Sequence, residues 1–468
     1  LVLATFAFMR GIKMAARKNR DLFSVLNANS FLTLIRQGLR VKGFIYVTVG
    51  NLINAVLGGL FYLIAARILS VTNYGYVTYY LSLGFFVSSI AVLGLSATIS
   101  TFYPKEGKDD LIRESALLTS ILGLIVGVVT TLYVFFFPAP VGSDNLYSLQ
   151  FSMQELIGGN VDFLFILPLV LGIVFYTIAL ARALGRREYR KFAFITSFVR
   201  VVEIGLVAVF YLFCALSGYF LKDIEKLMLV AYIVPFYLVS YDYFRDLLSV
   251  RRVSFHFAEI RSKLIFTLHT WGMGLAQASR TVLDKIVIGL FFGLLFLGTY
   301  NLAFQFLLIF LIIPQSLLSY LLPEKSAGSV RREVEIIGIL AAVAITVLGI
   351  SLAPYLINWL FPNFTGSIPT TQLISLAVIP ATLANIKSSV LLSEERSKIV
   401  LVGYFSALVV DVLGILLLGQ RFQALGFAAA FLISQIVLAA ILWFSSSERF
   451  TRLINRRSHV AQQERTKH

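Results

Sequence analysis

The sequence predicts an all-α polytopic membrane protein: about twelve transmembrane helices in two parallel-repeat six-helix lobes around a central cavity. Three observations predict it. The composition is too apolar for a soluble domain, the basic residues fall in alternate connections, and one pattern occurs twice, about 220 residues apart.

Of 468 residues, 58% are hydrophobic and 14% charged, whereas soluble domains are nearer half apolar and a quarter charged. One cysteine, Cys214, rules out a disulfide framework or a thiolate metal site, and the four histidines are scattered. No cofactor and no metal centre are therefore expected. A net charge of +16 would suit nucleic acid, but the lysines and arginines sit in short clusters between apolar runs, as in loops held on the cytoplasmic side. The bilayer is the expected partner, and nucleic acid is not.

Residues 1–42 form a basic cytoplasmic segment around an apolar-periodic stretch, Leu22 to Leu39, of interfacial type. The opening LVLATFAFM is shorter than the ~20 apolar residues of a spanning helix, and basic residues rather than a cleavage site follow it, so no signal peptide is read. Spans are expected at 43–66, 76–102, 114–137, 162–182, 192–216 and 227–247, making an N-terminal lobe over 43–248. A basic cytoplasmic linker, 249–264, leads to spans at 265–296, 299–322, 334–360, 371–392, 399–418 and 423–444, a C-terminal lobe over 265–445. Residues 446–468 are a cytoplasmic basic tail. With both termini inside, about 32 of the 40 lysines and arginines lie in inside segments and about 4 outside, an alternation that sets the orientation in a cell membrane. The longest outer connection, Pro138 to Val161, is too short for a catalytic domain, so no enzyme is expected.

The repeat pairs Tyr74-Gly75 and a long apolar run ending in Pro104-Lys105-Glu106 with Gly298 and a run ending in Pro323-Glu324-Lys325. Gly298 is read as a tight turn. An even number of spans separates the two copies, so both insert in the same direction. Parallel repeats of this kind enclose a site near the midplane, the layout of an alternating-access transporter.

Charges inside spans are costly and mark function. Arg200 and Glu203, three apart, share a helix face roughly 13–18 Å into the fifth span at 1.5 Å per residue. His269, Met273, Gln277, Arg280 and Asp284 form one stripe in the seventh span, from which Lys285 points away, toward the outer interface. Asp411 lies in the eleventh span without a local partner, and Arg67 ends the first. Arginine binds phosphate bidentately, so Arg200, Arg280, Gln277 and Arg67 are the candidate substrate-binding residues of the cavity. Glu203, Asp284 and Asp411 are candidates for ion coupling or for structural pairing.

Ala66-Arg67-Ile68-Leu69-Ser70 with Tyr74-Gly75 resembles the A-R-x-L-(G/S)-x-x-x-(Y/F)-G signature of Wzx-type polysaccharide and oligosaccharide flippases. These belong to the multidrug/oligosaccharidyl-lipid/polysaccharide exporter superfamily. Asp284-Lys285, Gly298-Thr299-Tyr300-Asn301-Leu302-Ala303, Pro314 and Leu322-Pro323 are similar to its second-half pattern. The resemblance implies a flippase that moves a polyprenyl-diphosphate-linked oligosaccharide from the cytoplasmic to the outer leaflet, with glycosyltransferases or a polymerase of the same pathway as partners. A drug/cation antiporter of the same superfamily is the alternative; embedded basic residues at least match the acids, which disfavours it.

Overall fold

The computed structural model describes residues 42–136, 161–217, 224–241, 243–244, 257–312, 321, 332–394 and 396–446. The N-terminal basic segment up to residue 41, the basic tail from 447, Pro314 and Pro323-Glu324-Lys325 lie outside the described residues, as do most of the Pro138–Val161 connection and the linker up to residue 256.

The first lobe starts with α1 (Lys42–Ile68), which gives way at Ser70 to α2 (Val71–Val92). Ser70 is extended and its side chain accepts from the Asn73 amide at 3.2 Å, satisfying a donor that a helix start leaves orphaned. The second span does not run unbroken. Leu93 (φ 49°) and Gly94 (φ 69°) are both left-handed, and α3 (Leu95–Glu106) restarts from there until Gly107 caps it. Next come α4 (Asp109–Phe136), with Asp109 and Asp110 at its positive end, α5 (Ile166–Gly185), α6 (Tyr189–Ser217) and α7 (Ile224–Leu238).

A five-residue helix, α8 (Ala258–Ser262), leads into the second lobe. Its helices are α9 (Leu264–Phe292), α10 (Leu294–Phe310), α11 (Arg332–Leu360), α12 (Ile368–Ser375), α13 (Val378–Ser393) and α14 (Ser397–Ser445). The turn between α9 and α10 is at Gly293 (φ 92°) rather than at Gly298, which lies inside α10. At ~1.5 Å per residue α14 would be far longer than the ~30 Å hydrocarbon core is thick. It reverses at Gln423 (φ 50°, ψ −128°), and Gly414 and Gly403 of its first half pack on Ala430 and Leu442 of its second.

Among the described residues, eight stretches are long and apolar enough to cross a membrane, the last holding both halves of α14. With those halves counted separately and α7, α9 and α10 added, six crossings fall in each lobe. The protein is an all-α, multi-pass membrane protein. Its lipid-facing belt consists of exposed apolar faces, among them Leu124 and Val129 of α4, Phe213 of α6 and Val347 of α11. Helices α2 and α10 are the opposite case: most of α2 is buried, and the two meet along the line between the lobes.

Candidate functional site: a cavity between the lobes

A cavity of about 830 Å³ lies between the lobes. Helices α1, α2, α3, α5, α6 and α7 line it on one side and α9 and α10 on the other; Asn54, Tyr62, Arg200, Lys285, Asn301 and Gln305 supply polar groups.

Arg200 is held on three sides. Its Nε donates to Asn54 Oδ1 at 2.8 Å, its Nη1 donates to Glu203 Oε2 at 2.6 Å, and its guanidinium lies 5.4 Å from the centre of the Tyr232 ring. Gly58 makes room for it, since a Cβ there would stand 3.5 Å from Nε. The i,i+3 spacing that suggested a pair therefore forms one. Glu203 is 0% exposed and stands behind Arg200, outside the cavity lining.

Lys285 is where sequence spacing misled. It does not face an outer interface: it is 5% exposed and lines the cavity. Its Nζ donates to the Thr281 carbonyl at 2.7 Å, pairs with Asp284 at 3.2 Å and sits 3.6 Å from the centre of the Phe304 ring. The curl of a lysine stem back along its own helix, under an aromatic ring supplied by α10, is a tertiary effect no helical wheel contains. Asp284 also accepts from Tyr300 Oη at 2.9 Å. Asp411 of α14 is buried within electrostatic reach of Asp284 and Lys285, and its Oδ1 has no hydrogen-bond partner among the described residues.

Thus, among the described residues, two cations reach the cavity wall, one from each lobe, while Glu203, Asp284 and Asp411 stay behind it. Arg280 and Gln277 lie on α9 one and two turns before Asp284, and their side chains are outside the described residues. Arg67 is not brought to the cavity. It is exposed at the end of α1, where its Nη1 donates to the Leu360 carbonyl at 2.9 Å, a cation on the negative end of α11.

The lobes touch at both ends of their interface. At the Ser70 end, α2 and α10 touch through backbone: a Cβ on Gly75 would lie 1.8 Å from the Leu294 carbonyl oxygen, and one on Gly298 would lie 2.0 Å from that of Val71. Each glycine meets the residue four before the other, the reciprocity expected of the repeat. Asn301 Nδ2 bonds Tyr74 Oη and Thr78 Oγ1, both at 2.9 Å, across the same seam. The repeated glycines are thus contact points of the two halves.

At the other end the seam is ionic. Lys263 pairs with Glu106 and Glu259, each at 3.0 Å, and Lys108 reaches Glu259 at 2.7 Å. Buried Glu114 accepts the amides of Glu259 and Ile260. Hydrogen bonds from Lys108 and Lys263 hold Glu259 below the usual carboxylate range, and donating that bond to Glu259 raises Lys108. A lowered carboxylate strengthens closure above its unpaired pKa and loses this as pH falls through the lowered value. A raised lysine strengthens closure below its unpaired pKa and loses it as pH rises through the raised value. Closure here should be flat between about pH 6 and 8 and should loosen in strong acid or with Lys263→Glu. Distances between spin labels on α4 and α8 would show this; a change within the neutral window would contradict it.

A family profile described as "Polysaccharide biosynthesis protein" matches residues 40–326. Comparison with curated proteins gives no match. Among solved structures, the lipid II flippase MurJ in an inward-closed conformation superposes with a TM-score of 0.64 at 14% identity, covering 86% of this chain and 87% of that one. An inward-facing multidrug resistance MATE family transporter gives 0.60 at 14%, covering 87% and 96%. A MOP superfamily transporter from Pyrococcus furiosus gives 0.55 at 15%, covering 88% and 96%. Identities this low speak for the fold alone, two six-helix lobes around a cavity. The profile match spans more than half of the chain, and with the Arg67, Tyr74-Gly75 and Asp284-Lys285 motifs in place this protein belongs to the polysaccharide biosynthesis protein family.

Proposed function

We propose that this protein flips a polyprenyl-diphosphate-linked oligosaccharide from the cytoplasmic to the outer leaflet of the cell membrane by alternating access. The observation that carries this reading is the layering of charge. Arg200 and Lys285 stand at the cavity wall with their carboxylates behind them, so an entering headgroup meets cations. Guanidinium and ammonium groups in a low-dielectric cavity suit a diphosphate, and the polar wall from Asn54 to Gln305 suits sugar hydroxyls. The ionic seam at Glu106–Lys263 would be the cytoplasmic gate and the Gly75–Gly298 seam the outer one, in keeping with the expected orientation. Arg280 and Gln277 are proposed to extend the headgroup site along α9. Arg67 is assigned instead to closing the outer end.

The test is transfer of a fluorescent polyprenyl-diphosphate oligosaccharide across proteoliposomes by wild type, Arg200→Ala, Arg280→Ala and Lys285→Gln. Wild type should transfer it, and each variant should lose about tenfold or more, the size of one charge-assisted phosphate contact. Full transfer by all three variants would remove the cavity cations from the mechanism. Export of cationic dyes without glycolipid transfer would establish the antiporter instead.

A further inference from the structure

The pairing of Arg200 poses a problem that the flippase reading alone does not solve. Glu203 Oε2 already takes the guanidinium at 2.6 Å, and its other oxygen, Oε1, is buried without a hydrogen-bond partner among the described residues. The carboxylate is 0% exposed, and Arg200 is 12% exposed, toward the cavity. A phosphate taken up by the same guanidinium would stand beside a buried anion that water cannot screen. Charged neighbours offer no relief: among the described residues, the titratable groups acting on Glu203 from its own helix and the surrounding ones are Arg200 of α6, Tyr62 of α1, Tyr176 of α5 and Tyr232 of α7. Arg200 is the single cation in that set.

Resting on the flippase reading, we propose that Glu203 is a proton-binding site linked to the headgroup site: as Arg200 turns to the diphosphate, Glu203 takes one proton on its unpartnered oxygen. The step balances as carboxylate plus a proton from the water phase giving a neutral carboxylic acid, with no other bond made or broken. Arg200 then keeps a neutral acceptor behind it and a full charge in front. Headgroup and proton bind with mutual reinforcement, and each raises the affinity for the other by the same factor. Glu203 is therefore a positioning residue for the headgroup as well as a site for the proton.

The probe is farnesyl diphosphate, titrated calorimetrically into the purified full chain in detergent, in two buffers of different ionisation enthalpy. Wild type should take up about one proton per diphosphate bound near neutral pH, and its Kd should rise toward about tenfold per pH unit on going alkaline. Glu203→Gln keeps an oxygen for Arg200; it should bind with no proton uptake and a flat pH profile. A protonated-carboxyl infrared band should also appear when the probe is added to wild type, a readout that needs no variant to fold. Proton uptake that persists in Glu203→Gln, or no such band in wild type on binding, overturns the linkage and leaves the flippase reading intact. Failure of wild type to bind the probe, or any other prenyl diphosphate, overturns the headgroup site and the linkage with it.

Discussion

Gly75→Ala is expected to part the lobes at the α2–α10 seam and to cut glycolipid transfer about tenfold or more, while the protein still inserts and folds. The added methyl would overlap the Leu294 carbonyl oxygen at 1.8 Å, and its carbon at 2.8 Å. Neither is the tip of a flexible side chain, so no rotamer change relieves the clash, and α10 itself must move. Overpacking of this kind costs about 1–3 kcal/mol. Set against a closed seam held by contacts of similar size, that shifts the closed-to-open ratio by a factor of about 5–150. Gly298→Ala should do the same, because its clash with Val71 is the reciprocal one. Spin labels at Ser70 and Leu295, both exposed, would report the seam once Cys214 is replaced. Labels that stay at the wild-type distance in both variants would mean that the seam yields elsewhere, and that the glycines do not determine closure.

That seam shows what the sequence could and could not disclose. Apolar runs and alternating basic clusters located the spans because both follow directly from bilayer thickness and loop charge. The repeat marked Gly75 and Gly298 as equivalent. It could not show that they meet, because a close backbone approach is a property of two helices at once. Gly298 looks like a turn in the sequence, though the reversal is at Gly293, since both glycines sit in one apolar run and only φ separates them. The break at Leu93-Gly94 was hidden for a related reason: a leucine in the left-handed region has no compositional signature. Glu203 behind Arg200 was legible because i,i+3 spacing is enough to pair two side chains. Arg67 and Lys285 were not, because their partners, the Leu360 carbonyl and the Phe304 ring, come from helices whose placement spacing does not encode.

Lys285→Met should be the most destabilising neutralisation in the Asp284–Lys285–Asp411 cluster, and it should exceed Asp411→Asn by a wide margin. The described charges there are two carboxylates, Asp284 and Asp411, and one ammonium, all at most 7% exposed. Removing the ammonium leaves two buried anions facing one another, with the Tyr300 hydroxyl able to satisfy only one oxygen. Loss of one partner from a buried pair typically costs about 3–5 kcal/mol. Asp411→Asn has the opposite effect: it removes the surplus charge and leaves Lys285–Asp284 as a neutral pair, so thermal stability should hold or rise. Asp284→Asn should fall between the two, since Asp411 remains to balance the ammonium. The double variant Lys285→Met/Asp284→Asn should recover much of the loss, because a single acid remains and it can bind a proton. Transfer activity should not recover with it, since the wall has then lost one of its two described cations. Thermal unfolding of the four variants in detergent, read beside vesicle transfer, checks both orders. If Asp411→Asn proves as damaging as Lys285→Met, the charge balance of this cluster must be set by groups beyond these three.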